Sequence, residues 1–226
     1  MLYPFGLIYG LILKIRNRLF DVGILKEAPI SMPSIGVGNL SSGGTGKSVV
    51  VDYLITLLKH QQPVVVLSRG YKRMTQGVMM ASAQSTAKTI GDEPFQFMNK
   101  HPEISVVVAE KRILGIHKIE EFSEPNTVIL LDDVMQHRYV KPSLMILTTT
   151  FNAPFFLDQI LPVGNLRESR QGAKRADIIL VTKCPKNLNQ QQIRQFCEPL
   201  ILRKDQQVFF TKIQYMSIEM YPWKSR

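Results

Sequence analysis

Cysteine is scarce in this sequence of 226 residues: Cys184 and Cys197 are the only two. That excludes a disulfide scaffold and a thiolate metal site, and a reduced, cytoplasmic setting fits it best. The 4 histidines show no H-x-x-x-H or similar ligand pair, which argues against a structural metal. No internal repeat or low-complexity segment is present. The N-terminal apolar stretch "LYPFGLIYGLIL", followed by "KIRNR", falls short of the roughly 20 residues that a membrane-spanning helix needs. It also lacks the basic start and small-residue cleavage site of a signal peptide. Acidic residues are in short supply, 18 against 28 lysines and arginines, for a formal charge of +10. Such an excess favours an anionic partner or simply a solvated basic face. The basic residues are scattered (Lys14, Arg16, Arg18; Lys111, Arg112; Arg167, Arg170, Lys174, Arg175). With no basic motif interleaved with aromatics, nucleic acid is not an expected partner.

What is present is an ordinary globular composition, 45% hydrophobic and 20% charged, long enough for one large domain or a domain with an appendage. Short apolar runs rich in β-branched residues recur at 34–40, 64–68, 104–109, 127–133, 144–150, 177–183 and 208–213. Several are continuously apolar, the pattern of strands covered on both faces. Helix-like segments at 47–60, 93–100, 111–122 and 189–197 separate many of them. This alternation predicts an α/β fold with a mostly parallel sheet and helices on both faces. Near the N-terminus, Phe5, Ile8, Tyr9, Ile12, Ile15 and Leu19 recur at helical spacing beside Lys14, Arg16 and Arg18. Such a helix lies either on an anionic membrane surface or on the protein's own core.

Ligands of parallel sheets gather at the carboxyl ends of strands, and the suggestive polar groups all follow strands. After "SIGV" comes "GNLSSGGTGKS". Small residues there let backbone N–H groups point at phosphate oxygens, a lysine reaches the β/γ-phosphates, and a hydroxyl meets Mg²⁺ at the helix start. Ser42, Gly43, Gly44, Thr45, Gly46, Lys47 and Ser48 supply these parts, although Ser41 stands where the phosphate-loop pattern has its first glycine. "VILLDD" is an apolar strand ending in acid, so Asp132 and Asp133 are candidate Mg²⁺ carboxylates opposite Ser48. "GDEP" places Asp92 and Glu93 at a helix start, where they read as caps or as an acid beside an acceptor hydroxyl. A GTPase switch is disfavoured. A D-x-x-G motif from Asp132 would need glycine at Met135, and N-K-x-D survives only as "TKCP".

Taken together and in order, "GNLSSGGTGKS", "LSRGY", "GDEPFQF", "LLDDVMQHR" and "LPVGNLRE" resemble the tetraacyldisaccharide 4'-kinase family. The resemblance runs from the N-terminal helix to about Tyr215, and a loop reading SSGGTGKS is usual for that family. It implies a P-loop fold that uses ATP and Mg²⁺. The γ-phosphate would go to the 4'-hydroxyl of a lipid disaccharide in lipid A biosynthesis, at the cytoplasmic face of the bacterial inner membrane. The partners implied are the lipid substrate and an anionic membrane surface, with no protein partner evident. By motif, Lys47 and Ser48 become phosphate and metal ligands, and Asp132 and Asp133 the Mg²⁺ carboxylates. Asp92 becomes the base with Glu93 beside it, while Arg69, Gln136, His137 and Arg167 line the site. The implied division is a membrane-surface helix at 1–25, a kinase core at 26–215 and the start of a linker at 216–226. In the family a smaller C-terminal lobe follows, whose histidine partners the GDEP aspartate, and no such histidine lies downstream of His137 here. The alternative reading is therefore a shortened, catalytically weak nucleotide-binding remnant. The family also has glycine where this chain has Val134, a strain on the metal-binding turn if that position needs φ > 0.

Overall fold

The computed structural model describes residues 2–214. Helix α1 (Tyr3–Asp21) leads into the short β1 (Ala28–Pro29) and then β2 (Ser34–Gly38), α2 (Lys47–Leu58), β3 (Val64–Ser68) and β4 (Met79–Met80). Next come α3 (Ala87–Ile90), α4 (Asp92–Lys100), β5 (Ser105–Val108), α5 (Arg112–Phe122), β6 (Val128–Asp132) and β7 (Val140–Lys141). The last elements are β8 (Leu144–Thr150), β9 (Ile178–Thr182), α6 (Gln190–Cys197) and β10 (Gln207–Phe210). The main sheet has the order β10-β9-β8-β2-β6-β3-β5-β4. All its pairings are parallel except that of β4, which runs antiparallel on β5. A small parallel ladder joins β1 to β7.

The continuous apolar runs become buried strands because each face of the sheet is covered. Val64 and Val66 join Val50, Val51, Leu54 and Ile55 of α2 and Phe97 of α4 in one core layer. Their neighbours Val65 and Leu67 face the other way, toward Ile116 and Ile119 of α5, in a core layer that extends under the sheet to Phe196 of α6. The expected α/β fold is thus observed. Strand β2 lies between β6 and β8, where the chain first builds one half of the sheet and then the other. That reversal opens a crevice beyond the carboxyl ends of β2 and β6.

Some expectations change in detail. The run at 208–213 pairs only over Gln207–Phe210, the edge strand β4 carries no sequence signal, and the linker proposed at 216–226 lies outside the described residues. Helix α1 does not fill the core with its apolar stripe. Phe5, Ile8, Tyr9, Ile12 and Ile15 are exposed, and only Gly6 and Phe20 are buried. Gly6 allows the helix to dock closely, since a Cβ there would lie 2.8 Å from Val163 Cγ2. No helix among the described residues is long and apolar enough to cross a membrane.

Candidate active site

The glycine loop leaves β2 and enters α2 through Gly46, whose φ of 88° is left-handed, a conformation glycine adopts without steric cost. The loop is anchored from beneath. Thr182 Oγ1 donates to the Thr45 carbonyl at 2.8 Å, and the Thr45 and Thr148 hydroxyls are 2.8 Å apart. Buried Asn39 donates from Nδ2 to Thr45 Oγ1 at 2.8 Å and to the Gly43 carbonyl at 3.3 Å. Ser41 is explained by pairing rather than phosphate contact: it bridges antiparallel to Leu166, and the Ser42 N–H donates to the Asn165 carbonyl at 2.6 Å. The loop and the segment 165–167 are thereby tied together.

Of the predicted site residues, Lys47, Ser48, Glu93, Asp133, Gln136 and Arg167 meet at this loop through side-chain contacts. Lys47 Nζ donates to Asn39 Oδ1 at 3.3 Å and lies 3.7 Å from Asp133. Ser48 Oγ donates to Glu93 Oε1 at 2.5 Å, which brings the GDEP helix start against the phosphate loop. Asp92 is the first residue of α4 and is exposed. Its placement depends on two left-handed glycines, Gly70 (φ 67°) and Gly91 (φ 95°). Their backbones touch, and a Cβ on Gly91 would lie 3.0 Å from Gly70. The loops "SRGY" and "GDEP" therefore pack main chain to main chain, with Arg69 exposed between the elements they join.

Asp132 and Asp133 end β6. Asp132 is buried; its Oδ2 accepts from Ser68 Oγ at 3.1 Å, while Oδ1 has no hydrogen-bond partner. Burial, together with the charges of Glu93 and Asp133, raises its carboxyl to about 7. Asp133 takes φ of 50°, which aspartate tolerates better than most side chains. Arg167 clamps it in bidentate fashion, Nη1 to Oδ2 at 2.9 Å and Nη2 to Oδ1 at 2.7 Å. Burial pushes the Asp133 carboxyl up, but Arg167 and Lys47 outweigh it and hold the group below its ordinary value. The turn is not strained at Val134. The positive φ falls one residue earlier, and the valine is buried with its N–H donating to the Val37 carbonyl at 3.2 Å.

His137 is pushed down to about 4, first by burial and then by the charges of Arg112 and Arg69, so it is neutral at pH 7. Gln136 spends its side-chain N–H groups on the Asn39 carbonyl at 2.8 Å and Glu168 Oε1 at 3.0 Å. Three contributors were not singled out from sequence. Asn39 is the root of the loop. Glu168, buried, accepts from Arg175 Nη2 at 2.8 Å on each oxygen. Arg112, also buried, donates to the Ala109 carbonyl at 2.6 Å and the Asp132 carbonyl at 3.2 Å. Arg112 sits in "EKR" and looks like any surface arginine; nothing in the sequence marks it.

The arrangement fits a nucleotide-bound divalent cation. The charges of Glu93 and Asp133 bear on Asp132, whose Oδ1 is buried without a partner. Among the described residues no group of three or more His, Cys, Asp or Glu makes a metal cage by itself.

Comparison with known proteins gives the same direction. A family model described as Tetraacyldisaccharide-1-P 4'-kinase matches residues 1–221. The tetraacyldisaccharide 4'-kinase of Flavobacterium johnsoniae is 48% identical over 98% of this chain and 65% of its own length. That of Flavobacterium psychrophilum is 50% identical over 95% and 63%. The chain thus spans a little under two thirds of these relatives. The "apo" form of LpxK from Aquifex aeolicus, solved in complex with ATP, superposes with a TM-score of 0.76 at 36% identity. The match covers 92% of this chain and 63% of that one. The family match extends along almost the whole chain, which belongs to the tetraacyldisaccharide 4'-kinase family.

Proposed function

We propose that this chain is the nucleotide-binding core of a lipid kinase. It would transfer the γ-phosphate of ATP to the 4'-hydroxyl of a tetraacylated glucosamine disaccharide at the cytoplasmic face of the bacterial inner membrane. The observation that carries the proposal is the meeting of Lys47, Ser48, Glu93, Asp132, Asp133 and Arg167 around one glycine loop. The ATP bound to the Aquifex relative supports the same nucleotide here. The proposed division is a membrane-surface helix at 1–25 and a kinase core at 26–215.

In this reading the loop from Ser42 to Gly46 cradles the phosphates, and Lys47 meets the β/γ oxygens as it swings from Asn39. Ser48, Asp132 and Asp133 would hold Mg²⁺, which when bound neutralises the charge shared by the β- and γ-phosphates. Arg167, held over Asp133 and Asn39, supplies a second fixed positive charge near the transferring group. Asp92 faces the acceptor side. The 4'-oxygen forms the new P–O bond as the bond to the β–γ bridging oxygen breaks; its proton passes to the Asp92 carboxylate and ADP leaves. Glu93 keeps Ser48 oriented. Neutral His137, Gln136 and Arg69 complete the wall. A cleft of about 740 Å³ beside the SRGY loop is lined by Arg69, Lys72, Lys111 and an Arg73–Glu110 pair, a net positive lining that suits a phosphorylated sugar.

The test is phosphate transfer from Mg-ATP to a tetraacylated disaccharide by the purified protein. Acceptor-dependent ADP release with 4'-phosphorylated product supports the reading. Tight Mg-ATP binding with no product would favour the nucleotide-binding remnant instead.

A further inference from the structure

Helix α1 has almost no core of its own. It turns Leu7, Ile8, Leu11, Ile12 and Ile15 outward, while Tyr9, Arg16 and Asn17 reach across to the core domain. Tyr9 Oη donates to the Arg167 carbonyl at 3.2 Å, and Arg16 Nη2 donates to the Gln136 carbonyl at 2.9 Å. Asn17 Nδ2 donates to Glu168 Oε2 at 3.4 Å, and the Asn17 carbonyl accepts from Arg138 at 3.0 Å. Every one of these bonds lands on the two segments that carry Arg167 and the residues after Asp133.

The contacts continue inward. Glu168 is buried and neutralised by Arg175. Its Oε1 accepts from Gln136, whose Nε2 also donates to the Asn39 carbonyl. Asn39 in turn carries Thr45, Gly43 and Lys47 of the phosphate loop. This chain of contacts is part-buried, with Glu168 and Asn39 fully so, and breaking a bond at either of these leaves a desolvated group without a partner.

We infer that α1 is a positioning element of the nucleotide site: Asn17, through Glu168, Gln136 and Asn39, holds the phosphate loop in place. Where α1 also rests on a bilayer, which is part of the function proposed above, seating the helix and binding nucleotide reinforce each other, since coupling between two binding events is reciprocal.

Asn17→Asp and Asn17→Leu test the brace. The first replaces a donor with a carboxylate facing Glu168; the second removes the donor and keeps most of the volume. Calorimetric titration of the full chain with Mg-ATP, without lipid, is expected to show the Kd raised about 2- to 30-fold, more for Asp than for Leu. Melting temperature is followed in parallel, and if Asn17→Asp does not fold, Asn17→Leu decides. Folded variants that bind Mg-ATP as the wild type does would overturn the inference, whatever their melting temperatures. Repeating the titration on phosphatidylglycerol vesicles is expected to tighten Mg-ATP binding for the wild type and not for Asn17→Asp. Co-sedimentation with the same vesicles is read separately: a wild-type chain that ignores them overturns the membrane link, while the lipid-free titration still decides the brace.

Discussion

His137, in the turn after β6, and Lys47, at the start of α2, serve opposite electrostatic purposes. Burial and the guanidinium groups of Arg112 and Arg69 hold the His137 imidazole down at about 4, against an ordinary value of 6.5. A base held down in the fold and normal in the unfolded chain stabilises the protein fully above its unfolded value, and that stability is lost as pH falls through the interval from 6.5 to 4. His137→Gln, which cannot be protonated, is expected to lose less melting temperature than the wild type between pH 7 and pH 5; equal losses would mean that the imidazole titrates normally. Lys47, by contrast, is there for its charge. A hydrogen bond to a charged group is worth about 1.5–3 kcal/mol, so Lys47→Ala is expected to weaken Mg-ATP binding by about 10- to 100-fold. Unchanged nucleotide affinity in a titration would show that the glycine loop is not the phosphate site.

Elements meet the site through close backbone contacts. The turn before α4 reaches the end of β3 only because neither Gly70 nor Gly91 has a side chain, and Gly91 has φ of 95°. Gly91→Ala is expected to destabilise the chain by about 1–3 kcal/mol, the cost of a strained backbone position, and to lower kcat as Asp92 and Glu93 shift. Denaturant titration beside the transfer assay separates the two effects. On α1 the outward apolar face is the place to test the membrane reading. Ile8→Glu and Ile12→Glu change exposed positions, so melting temperature is expected to hold while co-sedimentation with anionic vesicles falls. Loss of folding instead would mean that this face packs on protein.

For the whole molecule, the charge of +10 and the exposed apolar helix make a combined prediction. Binding to phosphatidylglycerol vesicles is expected to weaken as salt rises, because surface charges are screened beyond a Debye length of about 10 Å at 0.1 M. Binding to phosphatidylcholine vesicles is expected to be weaker and insensitive to salt. Equal binding to both at every salt concentration would assign the interaction to the apolar face alone.

The α/β class, most strands of the main sheet and the glycine loop that joins β2 to α2 were legible in the sequence because their causes are local. Continuous apolar runs need two covered faces, and a glycine-rich turn can enter a helix by its own local geometry, although Thr148, Thr182 and the segment 165–167 fix where this one sits. Asp132, Asp133 and Arg167 could be named from motifs, yet their clamp required residues far apart in the chain to meet. The difference between the two neighbouring acids is decided wholly by environment: Asp132 is buried beside other carboxylates, whereas Asp133 is gripped by Arg167. Arg112 gave no readable signal, and Asn39 and Glu168, although they lie within GNLSSGGTGKS and LPVGNLRE, carried no assigned role, since a polar side chain reads as surface until the fold buries it. The apolar residues of α1 left two destinations open. Only the tertiary structure decided that the helix docks through Gly6, Phe20 and polar contacts, because a helix chooses its buried face by the surface it meets, not by hydrophobicity alone.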